Sequence, residues 1–225
     1  MPTFRLPAII LLCVCAVSHA EEKVRTATLS LAGNAYQTAS GQAGKLQLNL
    51  NLRHDTAYGS LFIQDGEAGI AFPAPAGWVS LGLANEAQWP LGGPTGHMMS
   101  VLRYGVDLPD DGSISLGWAD RVGKGRPGQL WVMNAEISLG HYAGQRFSLQ
   151  GWASRGDGQR SVSMGYQPAD SGGRLEQANL LLMMRHIIDS RWSLDVGAGS
   201  RWQADVNQNH TSGWQLVSLL NYKLW

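Results

Sequence analysis

The sequence predicts an all-β protein: a closed, antiparallel transmembrane β-barrel of about 10 to 12 strands, with 12 preferred. Three observations lead to this prediction. Apolar and polar residues alternate through most of the chain, the alternating segments are long, and tryptophans recur near their ends. No apolar run after residue 20 approaches the roughly 18 residues that a membrane helix needs, and only helices and closed barrels satisfy every backbone group in lipid.

Residues 1–20 are predicted to be a cleaved secretory signal peptide, followed by a single barrel domain at 21–225. Arg5 gives the segment a positive start, an apolar run follows, and small residues lead up to Ala20. Both cysteines of the chain lie in this segment, so the exported domain has no disulfide framework.

The exported domain is close to electrically neutral. Removing residues 1–20 takes away Arg5 and no acidic residue, which leaves 16 basic and 17 acidic side chains. There is no basic tract, so the composition gives no indication of a nucleic-acid partner.

Period-two alternation predicts the strands. In "GKLQLNLNLRHD" (44–55), four leucines share one face and polar residues share the other. The same pattern predicts strands in "GSISLGWADR", "LWVMNAEISLGHY", "GQRFSLQGWASR", "RSVSMGYQ" and "GWQLVSLLNYKLW".

Turn sequences separate these segments. The short turns "PDDG", "GDGQ" and "DS" alternate with the longer connections "NEAQWPLGGPTG", "RVGKGRPG", "PADSGG" and "ADVNQNHTS". Outer-membrane barrels have this arrangement, with short periplasmic turns and long outer loops. "HYAGQ" breaks the alternation, because a short turn falls where a long loop is expected.

The segment 174–188, "RLEQANLLLMMRHII", fits two structures. Its Leu, Met, Glu and Gln content favours a helix. As a strand it would place Leu180, Leu182 and Met184 outward, and "DS" would then form a tight hairpin into the next strand. The strand is preferred.

Segment length and aromatic spacing favour a membrane barrel over a soluble sandwich, whose sheets also alternate. Several segments reach about 10 to 14 residues, whereas soluble strands usually have about five or six. Ten residues separate Trp192 from Trp202; at roughly 3.3 Å each and a tilt of about 40°, they span about 25 Å, the height of an apolar membrane band. The predicted membrane-interface aromatics are Trp192, Trp202, Trp214, Tyr222, Trp131 and Trp118.

Charged residues lie on the opposite face of the predicted strands, away from the apolar side chains. Because a charge buried alone is costly, these are predicted to be paired plugs inside the barrel. The alternative is the lining of a narrow pore for small solutes. The predicted interior charges are Arg53, Arg103, Glu136, Arg146, Asp195 and Arg201.

No catalytic constellation is recognised, so the chain is predicted not to be an enzyme. An outer-membrane lipid A deacylase uses a His-Tyr-Ser-Asn string; here His141-Tyr142 is followed by Ala143, which has no hydroxyl to act as nucleophile. No Gly-x-Ser-x-Gly elbow occurs, and the histidines show no metal-ligand spacing, so no cofactor or metal is predicted. A lipid-modifying enzyme remains the third alternative.

Three segments resemble the MltA-interacting protein (MipA/OmpV-like) family of outer-membrane barrels. They are "RHIIDSRWSLDVGAGSRWQAD", "GWQLVSLLNYKL" and, loosely, "YGSLFIQDGEAGIAFPAPAGWVSLGL". The resemblance implies a non-catalytic scaffold or adaptor in the Gram-negative outer membrane, with outer-membrane lipid and periplasmic cell-wall enzymes as partners. It carries no catalytic residues over.

The end of the chain departs from that family, whose Tyr-x-Phe ending is shifted here to Tyr-Lys-Leu-Trp. The alternation predicts that Tyr222 and Leu224 face lipid. It also predicts that Lys223 faces the interior and that Trp225 turns into the periplasmic mouth.

Overall fold

A computed structural model describes residues 25–38, 41–64, 66–85, 98–122, 128–163, 173–204 and 210–224 of the 225-residue chain. The predicted signal peptide and Trp225 lie outside these ranges. The described helix is too short and polar to cross a membrane. Within the ranges the elements are β1 (Arg25–Thr38), β2 (Gly41–Thr56), β3 (Gly59–Gln64), β4 (Glu67–Ala74), β5 (Gly77–Asn85), β6 (Met98–Leu108), β7 (Gly112–Arg121), β8 (Leu130–Tyr142), β9 (Gln145–Gly156), α1 (Gly158–Ser163), β10 (Arg174–Ile187), β11 (Trp192–Ala204) and β12 (His210–Lys223).

The twelve strands form a closed antiparallel barrel. Each strand pairs with the next in sequence, and β1 pairs with β12 to close the sheet. The closing register runs from Thr28 opposite Lys223 to Tyr36 opposite Gln215. Closure leaves the sheet with no edge along this seam. The predicted barrel and its preferred strand number are confirmed.

Alternation along each strand separates an apolar outer face from a small or polar inner face. On β7, Ile114 and Leu116 are exposed on the outside, while Ser115 and Ala119 are buried inside. This is the reverse of a soluble protein, in which large apolar side chains turn away from the surface.

The ambiguous segment at 174–188 is a strand for residues 174–187. On β10, Leu180 and Leu182 are 50% and 51% exposed, whereas Leu181 and Met183 are 6% and 5% exposed. The segment therefore forms a strand despite its helix-favouring composition, because both neighbouring strands pair along β10.

The two ends of the barrel differ in their connections. One end, called here the terminal end, carries the start of β1 and the end of β12, and its connections are short: 57–58, 75–76, 109–111, 143–144 and 188–191. The opposite end, called the distal end, carries the connections 39–40, 65–66, 86–97, 122–129, 157–173 and 205–209.

The strand predicted in "RSVSMGYQ" is wrong at residues 160–163, which belong to α1. The physical reason is a helix cap: Asp157 Oδ1 accepts a hydrogen bond from the Arg160 backbone N–H at 2.8 Å. "GDGQ" is thus the start of a long distal connection and not a hairpin turn. Without the extra strand, "HYAGQ" becomes the short β8–β9 turn at the terminal end, and the break in the predicted alternation disappears.

The barrel wall is lowest on one side. β3 and β4 have six and eight residues, whereas the neighbouring β1 and β2 have 14 and 16. Pairing of β2 with β3 begins at Leu52, so among the described residues β2 from Gln42 to Leu50 pairs with β1 alone.

Gly199 is a position where strand packing demands glycine. A Cβ placed there would lie 1.9 Å from the Leu180 carbonyl oxygen, whereas a Cβ at Gly44 would lie 3.5 Å from its nearest neighbour, the Asn34 carbonyl oxygen. We expect Gly199→Ala to lower the free energy of unfolding by about 1–3 kcal/mol through overpacking. Gly44→Ala is the matched control and should stay within about 0.5 kcal/mol of the wild type in the same urea titration. Equal effects of the two substitutions would contradict the β10–β11 packing.

Candidate functional site

The six predicted interior charges all occupy inward-facing register positions. The residues directly opposite them on the neighbouring strands are Phe62 for Arg53; Ser80 and Gly117 for Arg103; Ser113 and Gln150 for Glu136; His141 and Arg185 for Arg146; Arg185 and Leu219 for Asp195; and Asn179 and Gly213 for Arg201. Four of them form ion pairs: Arg53, Arg103, Arg146 and Asp195.

Asp195 is the centre of a polar network at the terminal half of the interior. Arg185 Nε and Nη2 donate to its two carboxylate oxygens at 2.7 and 2.8 Å. Asn221 Nδ2 donates to the same carboxylate at 3.1 Å, and Ser30 Oγ donates to Asn221 Oδ1 at 2.6 Å. The network therefore joins β10, β11, β12 and β1 across the closing seam. Arg185 was missed by the sequence analysis, although strand parity with Leu181 and Met183 would have placed it inside.

The other predicted arginines find partners in different ways. Arg103 pairs with Glu67 across β5, and this buried glutamate was also missed. Arg146 Nη1 lies 2.9 Å from Asp111 Oδ2 in the β6–β7 turn. Arg53 Nε lies 2.9 Å from Asp55 Oδ1. The Arg201 guanidinium lies 4.1 Å from the ring centroid of Tyr36, a cation–π contact.

Glu136 and Arg146 line a small cavity together with Arg185 and Asp195. The volume of this cavity is about 20 Å³, close to the volume needed for one water molecule. Charged side chains therefore enclose only a small free volume at this place in the interior.

A deeply buried ion pair at the distal end escaped the sequence analysis. Arg160 of α1 and Glu176 of β10 are 5% and 6% exposed, with Nε and Oε1 at 2.8 Å. A register shift between Leu175 and Gln177 turns Glu176 to the inside. The pair ties α1 to the barrel wall, and no alternation pattern could reveal it because it depends on a bulge and a capped helix.

The six predicted interface aromatics all face outward and separate into two groups. The distal girdle comprises Trp118, Trp131, Trp202 and Trp214, and the terminal girdle comprises Trp192 and Tyr222. Trp118 and Trp131 are directly opposed across β7 and β8. The rings of Trp192 and Tyr222 have centroids 4.6 Å apart.

The β10–β11 turn fixes the terminal girdle. Asp189 Oδ1 accepts hydrogen bonds from the backbone N–H groups of Arg191 and Trp192 at 2.7 and 2.8 Å. These two bonds hold the pKa of Asp189 below its ordinary value of 3.8. Arg191 Nη1 also donates to the Tyr222 hydroxyl at 3.2 Å.

Two tryptophans point inward and are not interface residues. Trp152 packs against a buried apolar cluster in the interior, formed by Ala84, Met99, Val101, Ala119, Leu130 and Val132. Trp78 lies over Gly105, and its indole N–H donates to Asp107 Oδ1 at 3.2 Å. These side chains occupy interior space on the β5–β9 side.

The end of β12 has the predicted parity. Tyr222 is paired with outward-facing Trp192, and Lys223 is paired with inward-facing Thr28. Leu224 is exposed.

The histidines whose side chains the structure describes lie towards the terminal end: His54, His141 and His186. Ala143, with φ 51°, belongs to the β8–β9 turn that follows His141. Among the described residues, no group of three or more His, Cys, Asp or Glu side chains could hold a metal ion.

No family model and no curated protein matches the chain. Among solved structures, it is similar to Neisserial surface protein A (NspA) with a TM-score of 0.30 and 9% identity, over 91% of this chain and 100% of that one. The strand pairing itself establishes the closed barrel, and the resemblance to the MltA-interacting protein family stays a prediction.

The hydrogen bonds of the Asp195 network join four strands, so their loss is expected to lower stability. We expect Asp195→Asn to lower the free energy of unfolding by about 1–2 kcal/mol, because Arg185 loses a charged partner yet is half exposed to solvent. Asp111→Asn is the matched control: Asp111 pairs with Arg146 from an exposed turn, so its loss should cost less than about 1 kcal/mol. Urea titrations of the two variants give the comparison, and a larger loss for Asp111→Asn would contradict it.

Proposed function

We propose that the protein is a non-catalytic β-barrel of the Gram-negative outer membrane that serves as a structural scaffold or adaptor of the cell envelope. One observation carries the proposal: an apolar outer wall lies between two aromatic girdles, and the described strand charges other than the rim residues Asp120 and Arg155 face the interior. Water would make such an exterior unfavourable, whereas lipid makes it favourable.

The apolar wall surrounds the barrel. Large exposed patches on soluble monomers rarely exceed a few hundred Å², whereas here outward leucines, isoleucines and methionines occur on most strands. The exposed outward set includes Leu46, Leu48, Leu50, Leu81, Leu83, Leu102, Ile114, Leu116, Met133, Ile137, Leu180, Leu182, Leu216 and Leu220.

The unequal ends support an orientation. Outer-membrane barrels have short periplasmic turns and longer outer loops. The terminal end therefore faces the periplasm, and the distal end faces outward.

Cross-strand contacts in the interior support a structural role. Arg185–Asp195 and Arg103–Glu67 cross the interior surface between strands, and Trp152 packs among apolar side chains on the other side. Paired charges neutralise one another and brace the strands that carry them.

An adaptor role would use the terminal end, where periplasmic cell-wall enzymes are the proposed partners. Tyr58 and Tyr142 are 85% and 78% exposed beside the short turns of this end. Tyrosine is enriched in protein interfaces, which supports a contact surface here.

Cell fractionation and heat-modifiability test the membrane proposal. We expect the unheated protein to come from the outer-membrane fraction and to migrate on a gel as a compact barrel that heating unfolds. Leu182→Arg should make the free energy of insertion into the membrane less favourable by about 2–4 kcal/mol, because Leu182 faces outward near the middle of β10. Tyr58→Arg, in an exposed turn, is the control. A soluble periplasmic product, or a Leu182→Arg variant that folds like the wild type, would contradict the proposal.

A narrow channel is the second candidate, favoured by one feature of the interior. Ala32, Gly197 and Gly199 face inward, are partly exposed and lack bulk. Planar-bilayer recordings distinguish the two functions. The structural role predicts no stepwise conductance, whereas steps whose ion selectivity changes in Asp195→Asn would establish a channel.

A further inference from the structure

Arg155 is a positive charge on the outside of the barrel wall. Its register partners are Trp131 on β8 and Leu175 on β10, which are both exposed on the outer face. By the same pairing, the other strand lysines and arginines with described side chains face the interior: Lys45, Arg53, Arg103, Arg121, Arg146, Arg174, Arg185, Arg201 and Lys223. An outward arginine is the exception in this wall.

Arg155 lies near one end of the barrel wall, at a depth in the bilayer where a charge is tolerated. It is the penultimate residue of β9 at the distal end, directly beside Trp131 of the distal girdle. A charge on the lipid face is costly at the bilayer midplane and inexpensive near the interface, where lipid headgroups carry their phosphates. A guanidinium group matches phosphate with two parallel hydrogen bonds.

A groove lies beside this guanidinium. It is lined by Trp131, Arg155, Gly156 and Asp157, and it offers about 340 Å³ of space. The Trp131 indole supplies an apolar wall, and Gly156 adds no side chain. Asp157 Oδ1 accepts the Arg160 backbone N–H at 2.8 Å, which anchors this carboxylate at the start of α1.

The wall below the groove leaves room for an acyl chain. Gly151 and Ala153 are the next outward residues of β9, and Ala153 is paired with Met133 on β8 and Ala178 on β10. A lipid with its headgroup in the groove can therefore pass over the small Ala153 side chain into the membrane, between Met133 of β8 and Leu180 of β10.

We propose that Arg155 and Trp131 form a binding site for the phosphate of an anionic lipid in the leaflet at the distal end. This inference rests on the proposed function, because the site needs the barrel in a membrane. The positive charge of Arg155 and the neighbouring indole complement an anionic headgroup joined to acyl chains.

Tryptophan quenching by brominated lipids tests the site. The full chain is refolded into phosphatidylcholine vesicles with a minor fraction of brominated phosphatidic acid or of brominated phosphatidylcholine. The signal of Trp131 is the difference between the wild type and Trp131→Phe. We expect phosphatidic acid to quench Trp131 about threefold more than phosphatidylcholine does at equal fraction, as for an exposed ion pair of modest strength.

Arg155→Gln should abolish the excess quenching of Trp131. Arg191→Gln, which removes an exposed arginine beside the terminal girdle, is the matched control and should preserve it. A brominated fatty acid separates phosphate recognition from charge alone, because its headgroup is a carboxylate. Excess quenching that survives in Arg155→Gln, or equal enrichment of the fatty acid, overturns the proposal.

Heat-modifiability of the same samples separates this inference from the function on which it rests. A chain that does not insert as a heat-modifiable barrel overturns both proposals. A heat-modifiable barrel without excess quenching of Trp131 overturns the lipid site alone.

Discussion

The pairing of β1 with β12 is the contact on which the rest of the structure depends. A sheet of alternating strands becomes a barrel only when its first and last edges meet, and here the seam continues past the strands: the Leu224 backbone N–H donates to the Ala27 carbonyl at 2.9 Å. An open edge would leave a row of backbone donors and acceptors without partners, which lipid cannot tolerate. The side chains at the seam reinforce it, since Ser30 of β1 reaches Asn221 of β12, which in turn reaches Asp195.

Inside and outside follow opposite chemical rules in this barrel. The outer wall has leucines and tryptophans in place of most charges, with Asp120 and Arg155 as outward charges at the distal rim. The interior pairs Arg185 with Asp195 on neighbouring strands and Arg103 with Glu67 across β5, so that each partner offsets part of the desolvation of the other. Trp152 and its apolar cluster take the remaining space on the β5–β9 side.

The alternation predicted the strands and the face of each interface aromatic, because a period of two depends on local sequence alone. It could not predict which charges meet. Arg185 and Asp195 are opposed only through the β10–β11 register, and Glu67 reaches Arg103 across an intervening strand. It also failed at residues 160–163, where the side chain of Asp157 caps a helix in a segment that otherwise alternates. Register and capping are set by contacts between segments, which composition and periodicity do not contain.

In the proposed membrane setting, the short wall at β3 and β4 gives the barrel a preferred direction. A bilayer whose hydrocarbon core is about 30 Å thick must compress beside a short stretch of wall, at a cost of fractions of a kcal/mol per Å. The 16-residue β2 would require less compression of the same bilayer than the six-residue β3, so the expected lipid thickness differs across this strand boundary. The barrel is then not equivalent in all directions of the membrane plane. Neighbouring proteins with equally short walls lower the deformation energy of the bilayer when they lie against β3 and β4, and this needs no specific contact between side chains.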